Sequence, residues 1–303
     1  MPIFAIRMSI RTKPSFKSAK ITASAASARM AELLGGLAHG EGFLPSRLPS
    51  VKFLRSTLHV PRTPVSYEPS IVIIAQGRKF GYLGDRSFVY DANHYLVLSV
   101  PLPFECETLG SPERPLLGLS ISVTPTLVAE LLMQMESPPP VTDARLQAIG
   151  ATELDKDLGD TAIRLLECLR SADEARILGP QIVREITYRV LVGKLGANLR
   201  DLAAPHSHFG QISRVLNRFH ADYARTYDME TLAQEAGMSM SNFHAHFKAV
   251  TSSSPLQYLK TVRLHKARLF MVNDGASAAQ AASSVGYESA SQFSREFKRL
   301  FGD

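Results

Sequence analysis

The sequence predicts an α+β protein of two domains: an N-terminal β-barrel with attached helices, and a C-terminal all-α domain with two helix-turn-helix motifs. Three observations predict it. At 303 residues with 45% apolar content the chain is long for one domain and comfortable for two. Between residues 51 and 123, short runs of aromatic and β-branched residues alternate with turn residues. From Asp228 onward, one helix-glycine-helix pattern is written twice.

Residues 1–47 read as a flexible basic extension. Up to Lys52 there are eight basic and two acidic residues, and after Ile6 there is little helical or strand period. Ile3-Phe4-Ala5-Ile6 is too short for a signal-peptide core, and Ala23-Ser24-Ala25-Ala26 lacks the apolar run that precedes a cleavage site. A tail, an over-long translation start with Met8 or Met30 as the true one, and a nonspecific nucleic-acid-binding arm are the open readings. From Met30, Ala31-Glu32-Leu33-Leu34-Gly35 has the composition of a short helix.

Residues 48–200 read as an effector-binding and dimerisation domain. Strands are predicted at 53–59, 71–76, 80–83, 88–90, 95–99, 104–108 and 116–122, punctuated by Gly84-Asp85, Asp91-Ala92-Asn93, Pro101-Leu102-Pro103 and Gly110-Ser111-Pro112. That spacing fits a small sandwich or barrel, and a cupin-like double-stranded β-helix is the choice made here. Thr124-Pro125 starts a helix to about Met135, and Ser137-Pro138-Pro139-Pro140 breaks it. Two further helices follow, one marked by Leu154, Leu158, Ala162, Leu165 and Leu169, the other by Ile177, Ile182, Ile186, Val190 and Leu195. They cover one face of the barrel, and a surplus apolar face would serve a homodimer. Residues 201–210 read as a linker.

Residues 211–303 form the second domain. Gln211 to Tyr223 opens it as a first helix, and helix-turn-helix motifs follow at 229–250 and 278–300. Gly237 and Gly286 stand where a helix must reverse, and glycine takes the left-handed conformation there without steric cost. Ser239 and Ser289 stand at the next N-cap, and Ser289-Ala290-Ser291-Gln292 has capping-box spacing. Phe243 and Phe247, like Phe293 and Phe297, share one helical face and should bury against the preceding helix. Between the copies, Pro255 opens a long helix to about Met271. At ~1.5 Å per residue it is a strut of roughly 25 Å, so the two copies could enter successive major-groove faces about 34 Å apart.

These motifs resemble the DNA-binding domain of the AraC/XylS family of bacterial transcription regulators. The resemblance rests on Leu232-Ala233, Gly237-Met238-Ser239, Phe247-Lys248, Pro255-Leu256-Gln257-Tyr258-Leu259, Arg263-Leu264-His265-Lys266-Ala267-Arg268, Val285-Gly286-Tyr287-Glu288-Ser289 and Phe297-Lys298. Glu68-Pro69-Ser70 through Lys79, with Tyr95-Leu96-Val97-Leu98-Ser99, is similar to the N-terminal effector domain of one branch of that family.

Combining the resemblance with side-chain chemistry, the base-reading candidates are Ser241, Asn242, His244 and Ala245 in the first copy and Ser291, Gln292 and Arg295 in the second. Gln and Arg suit bidentate contacts with adenine and guanine edges, so the second copy is the sharper reader. Ala245 departs from the longer polar side chain the family often carries there. Ser239, Lys248, Ser289, Lys298 and Arg299 are the phosphate candidates.

The net charge of +6 divides into +6 up to Lys52, −3 from Phe53 to Pro205 and +3 beyond, so the middle is not built for polyanions. The two cysteines, Cys106 and Cys168, match no metal or redox spacing, and a reducing cytoplasm is the simplest setting. No run approaches a membrane span. No catalytic residue, metal site or cofactor is assigned. His59 and His94 with Glu105 and Glu107 are a thin set for a metal-dependent cupin, and His244 and His246, two apart on a helix, point different ways. The expected function is a cytoplasmic transcription regulator that binds double-stranded DNA under control of a small effector, as a homodimer, with RNA polymerase a further candidate partner. The alternatives are a cupin-type enzyme and an architectural DNA-binding protein.

Overall fold

The computed structural model describes residues 24–136, 148–204 and 207–302. The first half of the basic extension, the triple-proline breaker and Pro205-His206 of the linker lie outside the described residues.

Among the described residues, ten strands form two antiparallel sheets. In chain order they are β1 (Gly42–Pro45), β2 (Val51–Ser56), β3 (Val60–Tyr67), β4 (Ser70–Gln76), β5 (Arg78–Leu83), β6 (Arg86–Asp91), β7 (His94–Leu98), β8 (Leu102–Leu109), β9 (Leu116–Ser122) and β10 (Ile149–Glu153). The larger sheet runs β1-β2-β9-β4-β7-β10 and the smaller β3-β8-β5-β6. The arrangement is a cupin-like sandwich rather than a closed barrel.

Ser70–Gln76 is a nearly unbroken apolar run because β4 is buried on both faces. Ile71 and Ile73 point toward the helices, while Val72 and Ile74 point toward the other sheet. Tyr95 and Val97 of β7 alternate with Leu96 and Leu98 in the same way. Three strands were not predicted. β3 contains Pro61 and Pro64 and lies at the edge of its sheet, where missing N–H donors are tolerated. β1 and β10 are the short outer strands of the large sheet.

The helices α1 (Ala25–Leu37), α2 (Pro125–Gln134), α3 (Lys156–Cys168), α4 (Ala172–Ile177), α5 (Gly179–Val192) and α6 (Gly196–Leu202) belong to this domain. Ser24 caps α1 by accepting from Ser27 N, and Met30, Leu33 and Leu34 bury into the core beneath the large sheet. The extension boundary at 47 is therefore too late, since α1 and β1 are part of the packed domain. The short helix expected from Met30 is the second half of α1; the small residues of its first turns carry little amphipathic signal. The helix predicted from Ile177 to Leu195 begins after Leu178, with the separate short α4 before it.

The second domain comprises α7 (His208–Ala221), α8 (Met229–Glu235), α9 (Met240–Thr251), α10 (Pro255–Asn273), α11 (Ala278–Ser284) and α12 (Ala290–Phe301). No helix among the described residues is long and apolar enough to cross a membrane. The domain docks on the smaller sheet through α10. The Tyr258 hydroxyl donates to the Pro101 carbonyl oxygen at 2.6 Å and is 2.9 Å from His220 Nε2 of α7. Since the hydroxyl donates to Pro101, it accepts from Nε2–H, and Nδ1 of His220 is left without a hydrogen bond, 3.8 Å from Glu68. Tyr258 is 1% exposed, so the whole contact is dry.

Tyr258→Phe leaves the Pro101 carbonyl and a histidine N–H unsatisfied in this dry contact. The expected loss is about 1–3 kcal/mol, read as a lower urea midpoint; an unchanged midpoint would remove the hydrogen bond from the docking. Burial, followed by the nearby Lys266 charge, pushes the His220 pKa from 6.5 down to about 4. The unfolded chain then takes up the proton first, so stability is lost as pH falls from about 6.5 toward 4 and levels off below. Between pH 6.5 and 5 this histidine alone should cost about 2 kcal/mol, and His220→Gln should make the pH dependence of unfolding shallower, leaving the share of His265, whose pKa burial also lowers to about 4.

Candidate nucleic-acid interface

Both reading helices are set by the same local devices. Gly237 and Gly286 have φ of +66° and +80°, the left-handed turns predicted. Ser239 accepts from Asn242 N at 3.4 Å and Ser289 from Gln292 N at 3.2 Å. The reciprocal half of a capping box is not made at Ser289, because the Gln292 amide donates to Glu296 instead. A complete box occurs at Ser277 and Gln280, opening α11.

Phe243 and Phe247 are fully buried, and Phe247 meets Phe219 of α7 and Tyr258 of α10. Phe293 is buried against Tyr287, while Phe297 is half-buried between Phe293 and Phe301. With one face of each helix so fixed, the opposite face is presented outward. Ser239, Ser241, Asn242, His244, Ala245 and Lys248 are all exposed on the first unit. Ser289, Ser291, Arg295, Lys298 and Arg299 are exposed on the second. Arg295, Arg299, Lys248 and Lys298 form no ion pair with the described residues.

Gln292 differs from the other candidates. It is half-buried and held at 3.2 Å by Glu296, which also accepts from Lys260 and from the Tyr287 hydroxyl at 2.7 Å each. Burial works against the Glu296 charge, but Lys260, Tyr287 and Gln292 together hold its carboxyl below the ordinary glutamate range. Arg295 is thus the long donor that is free to reach a base edge. His246 does not share the reading face, since it stacks on His208 with ring centres 4.2 Å apart.

Arg263 carries a structural role that its place in the motif did not reveal. Its guanidinium, projecting from α10, donates to the carbonyls of Tyr223 at 2.7 Å, Arg225 at 2.9 Å and Gly286 at 3.2 Å. It joins the loop after α7 to the turn of the second unit. A Cβ on Gly286 would lie 2.3 Å from the Ala224 carbonyl oxygen, so close approach as well as φ demands glycine there.

The sandwich also holds a cavity of about 460 Å³. Lys79 and Thr108 lie in register on its inner face, with Cys106 beside them, and Tyr67, Leu54 and Leu116 form apolar wall. Arg268 of α10 also lines it, so the cavity borders the second domain. Glu105 and Glu107 sit on the outer face of β8, paired with Arg62 and with His59, and His94 pairs with Asp91 at 2.7 Å. Among the described residues, no three His, Cys, Asp or Glu side chains are placed to hold a metal.

The family model described as AraC-type transcriptional regulator N-terminus matches residues 47–198, half of the chain, and a helix-turn-helix domain model matches residues 232–303. A protein described as an AraC-like transcription regulator of Streptomyces lividans is 37% identical over 91 residues, 30% of each chain. The regulator AlkR of Acinetobacter baylyi is 34% identical over 91 residues, again 30% of each. The match thus spans under a third of the length of these relatives. Among solved structures, apo ToxT of Vibrio cholerae shares the fold with a TM-score of 0.57 at 12% identity, over 84% of this chain and 94% of that one.

Arg295→Ala should weaken the best DNA site by about 1–3 kcal/mol and relax preference at one or two base positions. Lys248→Ala should weaken selected and random DNA alike, with a shallower salt dependence. Equal losses for both variants on both DNAs would dismiss this division of roles. Arg263→Ala, by releasing the turn before α12, should weaken the contribution of the second unit, visible as reduced protection of one half of the site in a footprint.

Proposed function

Because the chain belongs to the family of AraC-type transcriptional regulators, we propose that it reads double-stranded DNA through α9 and α12 under the control of a small molecule held in the sandwich cavity. One observation carries this reading: α10 touches every part the function needs. Its Tyr258, Leu259 and Val262 pack with the first reading unit, and its Leu264 and Ala267 with the second. Its Tyr258 docks on the loop before β8, and its Arg268 lines the cavity.

On this reading the exposed faces of α9 and α12 enter successive major-groove segments, Arg295 reads a base edge, and Lys248, Lys298 and Arg299 anchor phosphates. The effector acts by favouring one seating of α10 on the sandwich, and its influence is bounded by its differential affinity for the two seatings. No catalytic step is assigned. The chain would act in the cytoplasm, on the nucleoid, with RNA polymerase as a candidate contact.

A homodimer is part of the proposal. Tyr188 and Val192, one turn apart on α5, are 43% and 45% exposed, and Ile177 and Leu178 just before that helix are exposed as well. Such apolar side chains on the outer helical layer suit an isologous contact between two copies.

Selection from a random DNA pool by the full chain, at fixed near-physiological salt, should enrich two blocks about one helical turn apart. No enrichment, with and without a small-molecule library, would overturn the reading. Tyr188→Glu should convert a dimer to a monomer in light scattering and leave binding of a single site intact; a wild-type monomer at every concentration would remove the dimer.

A further inference from the structure

Lys79 is the unusual residue of the cavity. It is 7% exposed, and its ammonium donates to Thr108 Oγ1 at 2.8 Å. Burial works against its charge, while the neighbouring Tyr67 phenol and Cys106 thiol hold its pKa above the ordinary lysine value. Thr108 offers a hydroxyl and burial pushes the Tyr67 phenol up, so neither supplies a negative charge, and no carboxylate among the described residues comes within salt-bridge distance of the ammonium. The acidic side chains nearest along β8, Glu105 and Glu107, are on the other face with partners of their own. An ammonium placed in the interior without a counter-charge is costly, and that cost is recovered when an anion is brought to it.

The mouth of the same cavity has the opposite character. Phe43 is 43% exposed, Leu58 56% and Val60 38%, and all three line it. Phe43 stands edge-on to Tyr67, and Tyr67 edge-on to Phe104, which extends an aromatic frame inward from the mouth. Of the other cations lining the cavity, Arg55 is matched with Glu41, while Arg268 of α10 lays its guanidinium over the Phe301 ring. A cavity with an apolar entrance and a buried ammonium without a carboxylate partner inside selects a particular kind of guest.

We infer that the effector is a monoanionic amphiphile, with its carboxylate, sulfonate or phosphate group against Lys79 and its apolar body between Tyr67 and the Phe43 rim. The inference rests on the cavity being the effector site, and it adds the chemical class. Lys79 is then the specificity-determining residue: it rewards an anion over a neutral molecule of the same shape.

The test uses two fluorescent probes of nearly the same shape, anilinonaphthalene sulfonate and its neutral analogue N-phenylnaphthylamine, titrated into the full chain. Wild type should bind the sulfonate at one saturable site at least about tenfold more tightly than the neutral analogue, because a charge-assisted contact is gained. Lys79→Met should erase that preference, and Lys79→Arg, which keeps the charge, should retain it; thermal unfolding of both variants checks that the fold persists. Equal binding of the two probes by wild type, or an unchanged preference in Lys79→Met, would overturn the inference. The effect of bound probe on DNA affinity is measured in parallel. A sulfonate preference that depends on Lys79 without any change in DNA binding would sink the effector reading but not the anion site. A neutral probe that shifts DNA binding as well as the sulfonate does would sink the anion site but not the effector reading.

Discussion

The buried hydroxyl of Tyr258 is the contact on which the two-domain arrangement turns. It donates to a carbonyl in the loop before β8 and accepts from His220, so α10 is tied to the sandwich and to α7 through one dry oxygen. Around that oxygen, apolar burial is continuous. The core between the sheets and the core of the first reading unit form a single cluster, which runs from residues such as Leu98 and Leu102 to Phe219 and Val262. A change in the seating of α10 is therefore felt at once by the first reading helix, since packed interiors shift between discrete arrangements rather than deforming continuously.

α10 has to satisfy partners on several sides, which explains its composition. Leu259 and Val262 serve the first unit, Leu264 and Ala267 the second, and Arg263 staples the loop after α7 to the second turn. Lys260 reaches Glu296 on α12 and so braces the second reading helix from behind. A helix used on so many sides has little amphipathic contrast, and its sequence announces a helix without announcing what each face touches. The sandwich shows the same principle in a sheet: β4 and β7 are apolar on both faces because helices cover one and the second sheet the other.

The two reading units share a backbone plan and differ in what they leave exposed. The first offers short or aromatic polar groups at Ser241, Asn242 and His244, with Ala245 contributing no donor. The second offers Arg295 as its long free donor, because Gln292 is engaged by Glu296. Under the proposed function, this division would place sequence discrimination on the second unit and give the first a larger share of positioning.

By itself the sequence determined what is local. Glycine turns, serine caps and paired phenylalanines act within a few residues, so both helix-turn-helix units, the long helix from Pro255 and most strands of the sandwich were legible from spacing alone. The exposed candidates on α9 and α12 followed, because a helix with one buried face must present the other. Strand β3 was not legible, since its prolines are acceptable only at an edge that tertiary structure creates. Only the second half of helix α1, from Met30, was legible, because small residues fill its first turns, and the loss of the second capping bond depended on Glu296 competing for Gln292. The tertiary structure alone decided the pairing of Tyr258 with Pro101, 157 positions apart, and the burial of Lys79 away from any carboxylate. Both depend on where distant segments meet, and neither periodicity nor side-chain type carries that information.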